Sequence, residues 1–173
     1  TDWTCEDQRW LRRAVPENRL HAYDMRHLIN VFADTDSVVE LRPDFAPGMI
    51  TAFVRVEGRP LGLIANDPKV LGGAIDAAGA DKASRFMQLC DAFGVPMVSF
   101  CDTPGFMVGP EEEETAMVRH TCRMFVTAAS LTVPLFSLVT RKGYGLGAQG
   151  MTGGSFHAPF FCASWPSGEF GGM

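Results

Sequence analysis

The sequence of 173 residues lacks the features of several specialised protein classes. No apolar run approaches the ~20 residues of a membrane-spanning helix, and the polar N-terminal stretch has no apolar segment of a signal peptide. Only 20% of the residues are charged against 46% that are hydrophobic, which excludes an intrinsically disordered chain. The net charge of -5 argues against a protein that coats nucleic acid. We therefore expect a soluble globular protein with no nucleic-acid and no membrane partner.

The cysteines are too scattered for a disulfide framework or a metal site. They are odd in number and contain no CxxC pair: Cys5, Cys90, Cys101, Cys122 and Cys162. Three of them, at positions 90, 101 and 122, lie within apolar patterns, which favours buried thiols over disulfides. Free thiols are typical of a reducing compartment, so we expect a cytoplasmic protein, or a mitochondrial matrix protein in a eukaryote.

Hydrophobic spacing predicts strands and helices that alternate along the chain, hence an α/β layered fold with parallel strands. A hairpin turning at Glu57-Gly58 opens the sheet. The predicted elements are a helix over Tyr23–Ala33, hairpin strands Met49–Val56 and Pro60–Ala65, a helix capped by Asp81 and running to Phe93, a strand Val95–Cys101, a helix Glu111–Ser130 and a strand Leu131–Thr140.

Two loops follow predicted strands, where α/β folds often bind their ligands. The loop Arg141–Gly150 has four glycines from Gly143 onward, so backbone N–H groups there can approach a phosphate or an oxyanion closely. It matches neither nucleotide-binding glycine motif. Close packing alone is the alternative explanation of these glycines. Arg141 and Lys142 are either an anion-steering pair or ordinary surface charges.

The second loop, Asp102–Gly109, can place the amides of Gly105 and Phe106 at the same sheet edge. The alternative is a Pro-Gly turn in which Asp102 is a local hydrogen-bond acceptor. The acidic run Glu111–Glu114 is better explained as a solvated first helical turn than as an acidic site. The histidines show no metal-ligand spacing, and the serines lack the GxSxG context of hydrolases.

Several motifs in one order resemble the carboxyltransferase (beta) subunit of biotin-dependent acyl-CoA carboxylases, including propionyl-CoA and acetyl-CoA carboxylases and related decarboxylases. The similarity covers residues 20–173. The motifs are Tyr23-Asp-Met-Arg26, Ala65-Asn-Asp-Pro-Lys69, Ala83–Phe93, Phe100-Cys-Asp-Thr-Pro-Gly-Phe106 and Arg141-Lys-Gly-Tyr-Gly145.

The resemblance implies a ClpP/crotonase-like fold, here as an incomplete domain. Subunits of this family contain two such domains, and the chain is similar to the start and middle of the second. We therefore expect residues 1–20 to form a linker or docking segment. Residues 21–173 would then form a C-terminal carboxyltransferase domain that lacks its closing part.

The resemblance also implies a reaction, in which a carboxyl group passes between N1 of biotin and the α-carbon of an acyl-CoA substrate. Biotin is the cofactor and is carried on a partner domain. Paired backbone amides hold the ureido oxyanion of biotin, and by the match after Tyr144-Gly145 this pair falls on Leu146 and Gly147. No side-chain base is implied. The substrate-binding candidates are Gly105, Phe106, Tyr144, Gly145, Ala148 and Gln149.

The family often has Gly-Ala followed by Tyr-Asp where this chain has Leu146-Gly-Ala-Gln149. These side-chain differences leave the backbone N–H donors in place. Gln149, however, matches a position that helps select the acyl group, so the resemblance does not identify the acyl-CoA substrate. The implied partners are an N-terminal carboxyltransferase domain, a biotin carboxylase and biotin carrier subunit, and further copies in a hexamer. The isolated chain is expected to be inactive. The alternatives are an acyl-CoA hydratase, decarboxylase, isomerase or hydrolase of the same fold, and a non-catalytic assembly subunit.

Overall fold

A mixed sheet of seven strands forms the centre of the computed structural model, which describes residues 2–18 and 20–172. Positions 1, 19 and 173, which fall within the predicted segments, lie outside the described residues. The strands are β1 (Val39–Glu40), β2 (Met49–Val56), β3 (Arg59–Asn66), β4 (Met97–Thr103), β5 (Leu135–Tyr144), β6 (Phe161–Ser164) and β7 (Glu169–Gly171).

The strand order is β1-β2-β3-β4-β5-β6, and β7 also pairs with β5. The first three strands are antiparallel, whereas β4 pairs in parallel with β3 and β5, and β5 pairs in parallel with β6 and β7. The helices are α1 (Met25–Phe32), α2 (Ala77–Ala92), α3 (Pro110–Glu114), α4 (Met117–Ala129) and α5 (Gly145–Met151), with 3₁₀ turns at Gln8–Arg13 and Leu71–Gly73.

Helices cover both faces of the sheet. Since successive strand residues point to opposite faces, neighbouring residues of one strand pack against different helices. Ile64 packs in a core with Phe86 and Met87 of α2 and Met124 of α4. Its neighbour Leu63 packs in a second core with α1. This arrangement confirms the predicted α/β layering, the parallel strands and the Glu57-Gly58 hairpin.

Two predicted helix boundaries are wrong. Helix α2 begins at Ala77, and Asp76 rather than Asp81 caps it by accepting a hydrogen bond from the Gly79 N–H at 2.6 Å. Asp81 lies inside the helix and contacts His120 at 2.9 Å. The helix predicted over Glu111–Ser130 is interrupted at Ala116, whose left-handed φ of 59° separates α3 from α4.

Two further expectations differ from the structure. Strand β5 continues to Tyr144 instead of ending at Thr140, because β7 pairs with it over Lys142–Tyr144. Cys122 is exposed on α4, whereas Cys90 and Cys101 are buried as predicted.

The connection between α4 and β5 gives a pH-dependent contribution to stability. The Asp91 carboxylate accepts hydrogen bonds from the Thr132 N–H and hydroxyl at 2.7 and 2.9 Å and from the Val133 N–H at 3.2 Å. These bonds, with the Thr132 amide first, lower the pKa of Asp91 below its ordinary 3.8. A carboxylate whose pKa is lower in the folded state stabilises the fold above the unfolded pKa, and the contribution is lost as the pH falls through the folded pKa.

We therefore expect Asp91→Asn to lower the free energy of unfolding near pH 6, and the deficit to shrink as the pH falls below 3.8. Urea unfolding from pH 6 to pH 3 measures this difference. The control is Asp44→Asn, since Asp44 is exposed and makes no hydrogen bond among the described residues. An Asp91→Asn deficit that is independent of pH would contradict the prediction.

Candidate functional site

The two loops singled out in the sequence meet at one edge of the sheet. Strands β4 and β5 are parallel neighbours, with Met97 opposite Leu135 and Cys101 opposite Val139. Their carboxyl ends therefore lie side by side, and Thr103 pairs with Gly143 as the last contact between them. The chain leaves β4 into the segment 104–109 and leaves β5 directly into α5.

The backbones of these two segments touch through glycines. A Cβ atom on Gly147 would lie 2.7 Å from both Cα and C of Gly105 and 3.1 Å from the amide N of Phe106. Real Cβ atoms essentially never make contacts as short as 2.7 Å, so a side chain at 147 would force the segments apart. Glycine is therefore required here for close approach.

The first turn of α5 presents backbone donors at this edge. Gly145 has a left-handed φ of 53°, so the chain turns sharply from β5 into the helix. No side chain of the N-cap residue bonds to the helix. Since the first N–H groups of a helix have no acceptor within it, Leu146 and Gly147 present N–H groups that an external acceptor can use.

The other predicted site residues are placed as follows. The Gly105 N–H donates to Thr103 Oγ1 at 3.1 Å, so this donor is engaged locally. The Tyr144 hydroxyl donates to Glu169 at 2.8 Å, which directs it toward β7. Ala148 is fully buried. Gln149 lines a cavity of about 390 Å³ together with Gly143, Gly145, Phe156 and the C-terminal strand.

An apolar groove lies beside the same edge. It measures about 450 Å³ and runs between the segment after β4 and helix α4. Leu146 connects the groove to the first turn of α5, because this residue is 56% exposed and lines the groove. The other lining residues are Phe106, Met107, Val108, Met117, Val118, Thr121, Cys122 and Phe125.

Sequence reasoning missed a buried ion pair beneath the site. Asp102 and Arg141 have side chains that are 0% and 6% exposed, and Asp102 Oδ2 lies 3.2 Å from Arg141 Nη2. Arg141 is therefore neither a surface charge nor an anion-steering group, and Asp102 belongs to β4 rather than to a Pro-Gly turn. Arg141 also lies over the ring of Tyr23, at 5.0 Å from the centroid. Burial, followed by the Asp102 charge, raises the pKa of Tyr23.

Neither of two charged groups singled out in the sequence lines the apolar groove or the cavity beside Gln149. The run Glu111–Glu114 lies on or near the surface in the short helix α3. His120 contacts Asp81 and so joins α4 to α2.

Residues 2–18 and 20–172 contain no group of three or more His, Cys, Asp or Glu side chains that could hold a metal ion. Within the same residues, none of the helices has the length and apolar character needed to cross a membrane.

Comparison with known proteins gives consistent matches. Residues 2–173 match the family described as the carboxyl transferase domain. The chain is 38% identical over 155 residues to the propionyl-CoA carboxylase beta chain of Roseobacter denitrificans, covering 90% of this chain and 30% of that protein.

Two solved structures are also similar. A single-chain, multi-domain long-chain acyl-CoA carboxylase matches with a TM-score of 0.98 and 58% identity, over 99% of this chain and 17% of that one. Transcarboxylase 12S, solved as a hexamer with methylmalonyl-CoA bound, matches with a TM-score of 0.88 and 35% identity, over 93% of this chain and 31% of that one. The chain thus spans about a third or less of the proteins it matches. These matches confirm the crotonase-like α/β fold.

Proposed function

Since the chain belongs to the carboxyl transferase domain family, we propose that it supplies the biotin-side half of an active site that transfers a carboxyl group to an acyl-CoA. One observation carries the proposal. The first-turn N–H groups of Leu146 and Gly147 lie at the carboxyl ends of two parallel strands, where Gly147 touches the backbone of Gly105.

The chemistry of this donor set fits the ureido group of biotin. Bound carboxybiotin would supply the carboxyl group from N1, and this nitrogen would accept the proton that the acyl-CoA α-carbon loses. Leu146 and Gly147 would each donate one backbone N–H hydrogen bond to the negative charge that develops on the ureido oxygen. Such preorganised donors are worth about 3–4 kcal/mol each in enzymes that stabilise an oxyanion.

The rigidity of the site supports this role. The N–H groups belong to a helix whose Ala148 and Met151 are fully buried, so they are fixed before any ligand arrives. The partial positive charge at a helix N-terminus adds to the two hydrogen bonds. Leu146 and Gly147 are therefore our proposed catalytic pair, and Gly145 is the turn that aims them.

We propose an acyl-CoA with a longer chain than propionyl as the substrate. The apolar groove beside Leu146 can hold an acyl tail, and the solved structure with 58% identity is described as a long-chain acyl-CoA carboxylase. Gln149, which lines the neighbouring cavity, replaces the Asp that is frequent in the family at this position.

We expect Gln149→Asp to shift the ratio of kcat/KM for propionyl-CoA to that for a long-chain acyl-CoA by about 10-fold toward propionyl-CoA. Competition between the two substrates in the full-length protein measures the ratio. Gln88→Asp is the matched control, because Gln88 is exposed on α2. An equal shift in both variants would contradict the role of Gln149.

The partners proposed from the family are an N-terminal carboxyltransferase domain that completes the acyl-CoA site, a biotin carboxylase and biotin carrier, and further copies of the chain. The matched transcarboxylase 12S is a hexamer, which supports a homo-oligomer. Residues 21–173 are proposed as the C-terminal carboxyltransferase domain, and residues 1–20 as its linker or docking segment.

The decisive experiment uses the full-length protein with free biotin and with malonyl-CoA, methylmalonyl-CoA and their longer homologues. Biotin-dependent loss of the carboxylated CoA is the expected result. A hydratase or isomerase of the same fold would instead act on an unsaturated acyl-CoA without biotin. Absence of transfer with every substrate would overturn the proposed function.

A further inference from the structure

The pairing of β4 with β5 is interrupted directly below the site. Val139 lies opposite Cys101 and Gly143 opposite Thr103, so Asp102 alone faces the three residues 140–142. A bulge of this kind takes backbone groups out of the ladder, and a buried N–H without an acceptor is costly. β7 pairs with Lys142–Tyr144 on one side of β5, but on the side facing β4 something other than the ladder must bind the backbone of residues 140–142.

The Asp102 carboxylate fills this gap. Its Oδ1 accepts the Lys142 N–H at 3.1 Å and lies 3.6 Å from Lys142 Nζ. Its Oδ2 lies 3.2 Å from Arg141 Nη2. One fully buried carboxylate thus contacts two successive residues of the bulge. The bond from the Lys142 N–H is a hydrogen bond to a charged acceptor, which is stronger than one between neutral groups, and the Arg141 contact adds an ion pair, so the carboxylate holds the bulge of β5 against β4.

Both sides of the contact are themselves anchored. The Asp102 N–H donates to Asn66 Oδ1 at 3.1 Å, which ties it to the end of β3. Arg141 Nη1 donates to the His21 carbonyl at 2.8 Å. Thr140 donates to the Cys101 carbonyl at 3.1 Å and so closes the other side of the bulge. The carboxylate consequently has little freedom to move relative to either strand.

We propose that Asp102 is the positioning residue for the backbone amides of Leu146 and Gly147, an inference that rests on the proposed carboxyl transfer. Helix α5 begins at Gly145, three residues after Lys142. Gly105 likewise lies three residues after Asp102. Gly147 and Gly105 are the residues that touch. The carboxylate therefore fixes both segments whose contact sets the position of the amide pair.

The test compares Asp102→Asn with Asp34→Asn in the full-length protein. Asp34 is a matched control, because its buried carboxylate also accepts backbone N–H groups, from Glu57 at 2.9 Å and Gly58 at 2.7 Å. These lie in the hairpin at the opposite end of the sheet. Measurements are kcat and KM for carboxyl transfer, and amide hydrogen exchange in peptides covering 141–152 and 49–66.

For Asp102→Asn we expect kcat to fall by up to about 100-fold with KM for the acyl-CoA unchanged, since misplacement by about 1 Å has an effect of this size. Exchange should accelerate in 141–152 and not in 49–66. For Asp34→Asn we expect exchange to accelerate in 49–66 with kcat unchanged. If Asp102 had a merely structural role, the folded fractions of Asp102→Asn and Asp34→Asn would have the same kcat. That result would overturn the proposal.

A double variant covers the case in which Asp102→Asn does not fold because Arg141 is left as an unpaired buried charge. Asp102→Asn with Arg141→Met removes both charges and should fold, yet keep the low kcat and the fast exchange in 141–152. Recovery of the wild-type kcat and exchange would overturn the proposal. Amide hydrogen exchange in 141–152 tests the positioning role of Asp102 even if the protein shows no activity. Inactivity of the unmodified protein with every acyl-CoA would overturn only the proposed function.

Discussion

Replacing Leu146 by proline is expected to lower kcat for carboxyl transfer by about 100- to 1000-fold, because it deletes one of the two proposed oxyanion donors. Proline has no N–H, yet the first turn of a helix tolerates it since the N–H groups there have no intrahelical acceptor. The residue before proline avoids the right-handed helical region, and Gly145 has a φ of 53°. The variant should therefore fold and lose the donor.

The matched control is Leu146→Ala, which keeps the N–H and removes the side chain from the groove. We expect this variant to raise KM for a long acyl-CoA and to leave kcat close to that of the unmodified protein. Steady-state kinetics of the full-length protein, with circular dichroism to verify folding, separate the two effects. Equal losses of kcat in both variants would assign the effect to the side chain and would contradict the amide role.

Local sequence patterns predict correctly the elements whose structure depends mainly on residues that are close together in the chain. The hairpin at Glu57-Gly58 combines two β-rich runs with a tight turn, and α1 shows regular helical spacing, so both are found as predicted. The start of α2 is mispredicted because Gly79 and Ala80 look like part of a loop. The Asp76 cap and packing of Ala80 and Ala83 against Met49 and Ile64 stabilise the helix there.

The site was predictable only in part, because its parts are distant in sequence. Four glycines after a predicted strand indicated either backbone donors or close packing in Arg141–Gly150, and the family resemblance assigned the donors to Leu146 and Gly147. The same pattern could not show that Gly147 touches Gly105, or that Asp102 contacts Arg141 and Lys142 across a bulge. Asp102-Thr-Pro-Gly has the composition of a turn, and it is the pairing of Thr103 with Gly143 of β5 that extends strand β4 through its first two residues.

Gly73→Ala is expected to lower the free energy of unfolding by about 2–4 kcal/mol, because overpacking and a left-handed backbone both oppose a side chain there. The φ of Gly73 is 89°, and a Cβ atom would lie 2.1 Å from the carbonyl oxygen of Asp102. The 3₁₀ turn Leu71–Gly73 therefore has to move away from the end of β4, or β4 has to move. Chemical denaturation of the protein measures the loss.

Gly72→Ala separates the two causes. Gly72 also has a left-handed φ, 61°, but the nearest atom to its Cβ position is Lys142 Nζ at 3.9 Å. This control should cost only the backbone strain, about 1–2 kcal/mol. Because the overlap in Gly73→Ala falls on Asp102, that variant should also reduce carboxyl transfer in its folded fraction, whereas Gly72→Ala should not. Equal stability and equal activity of the two variants would show that the contact with Asp102 has no effect on the site.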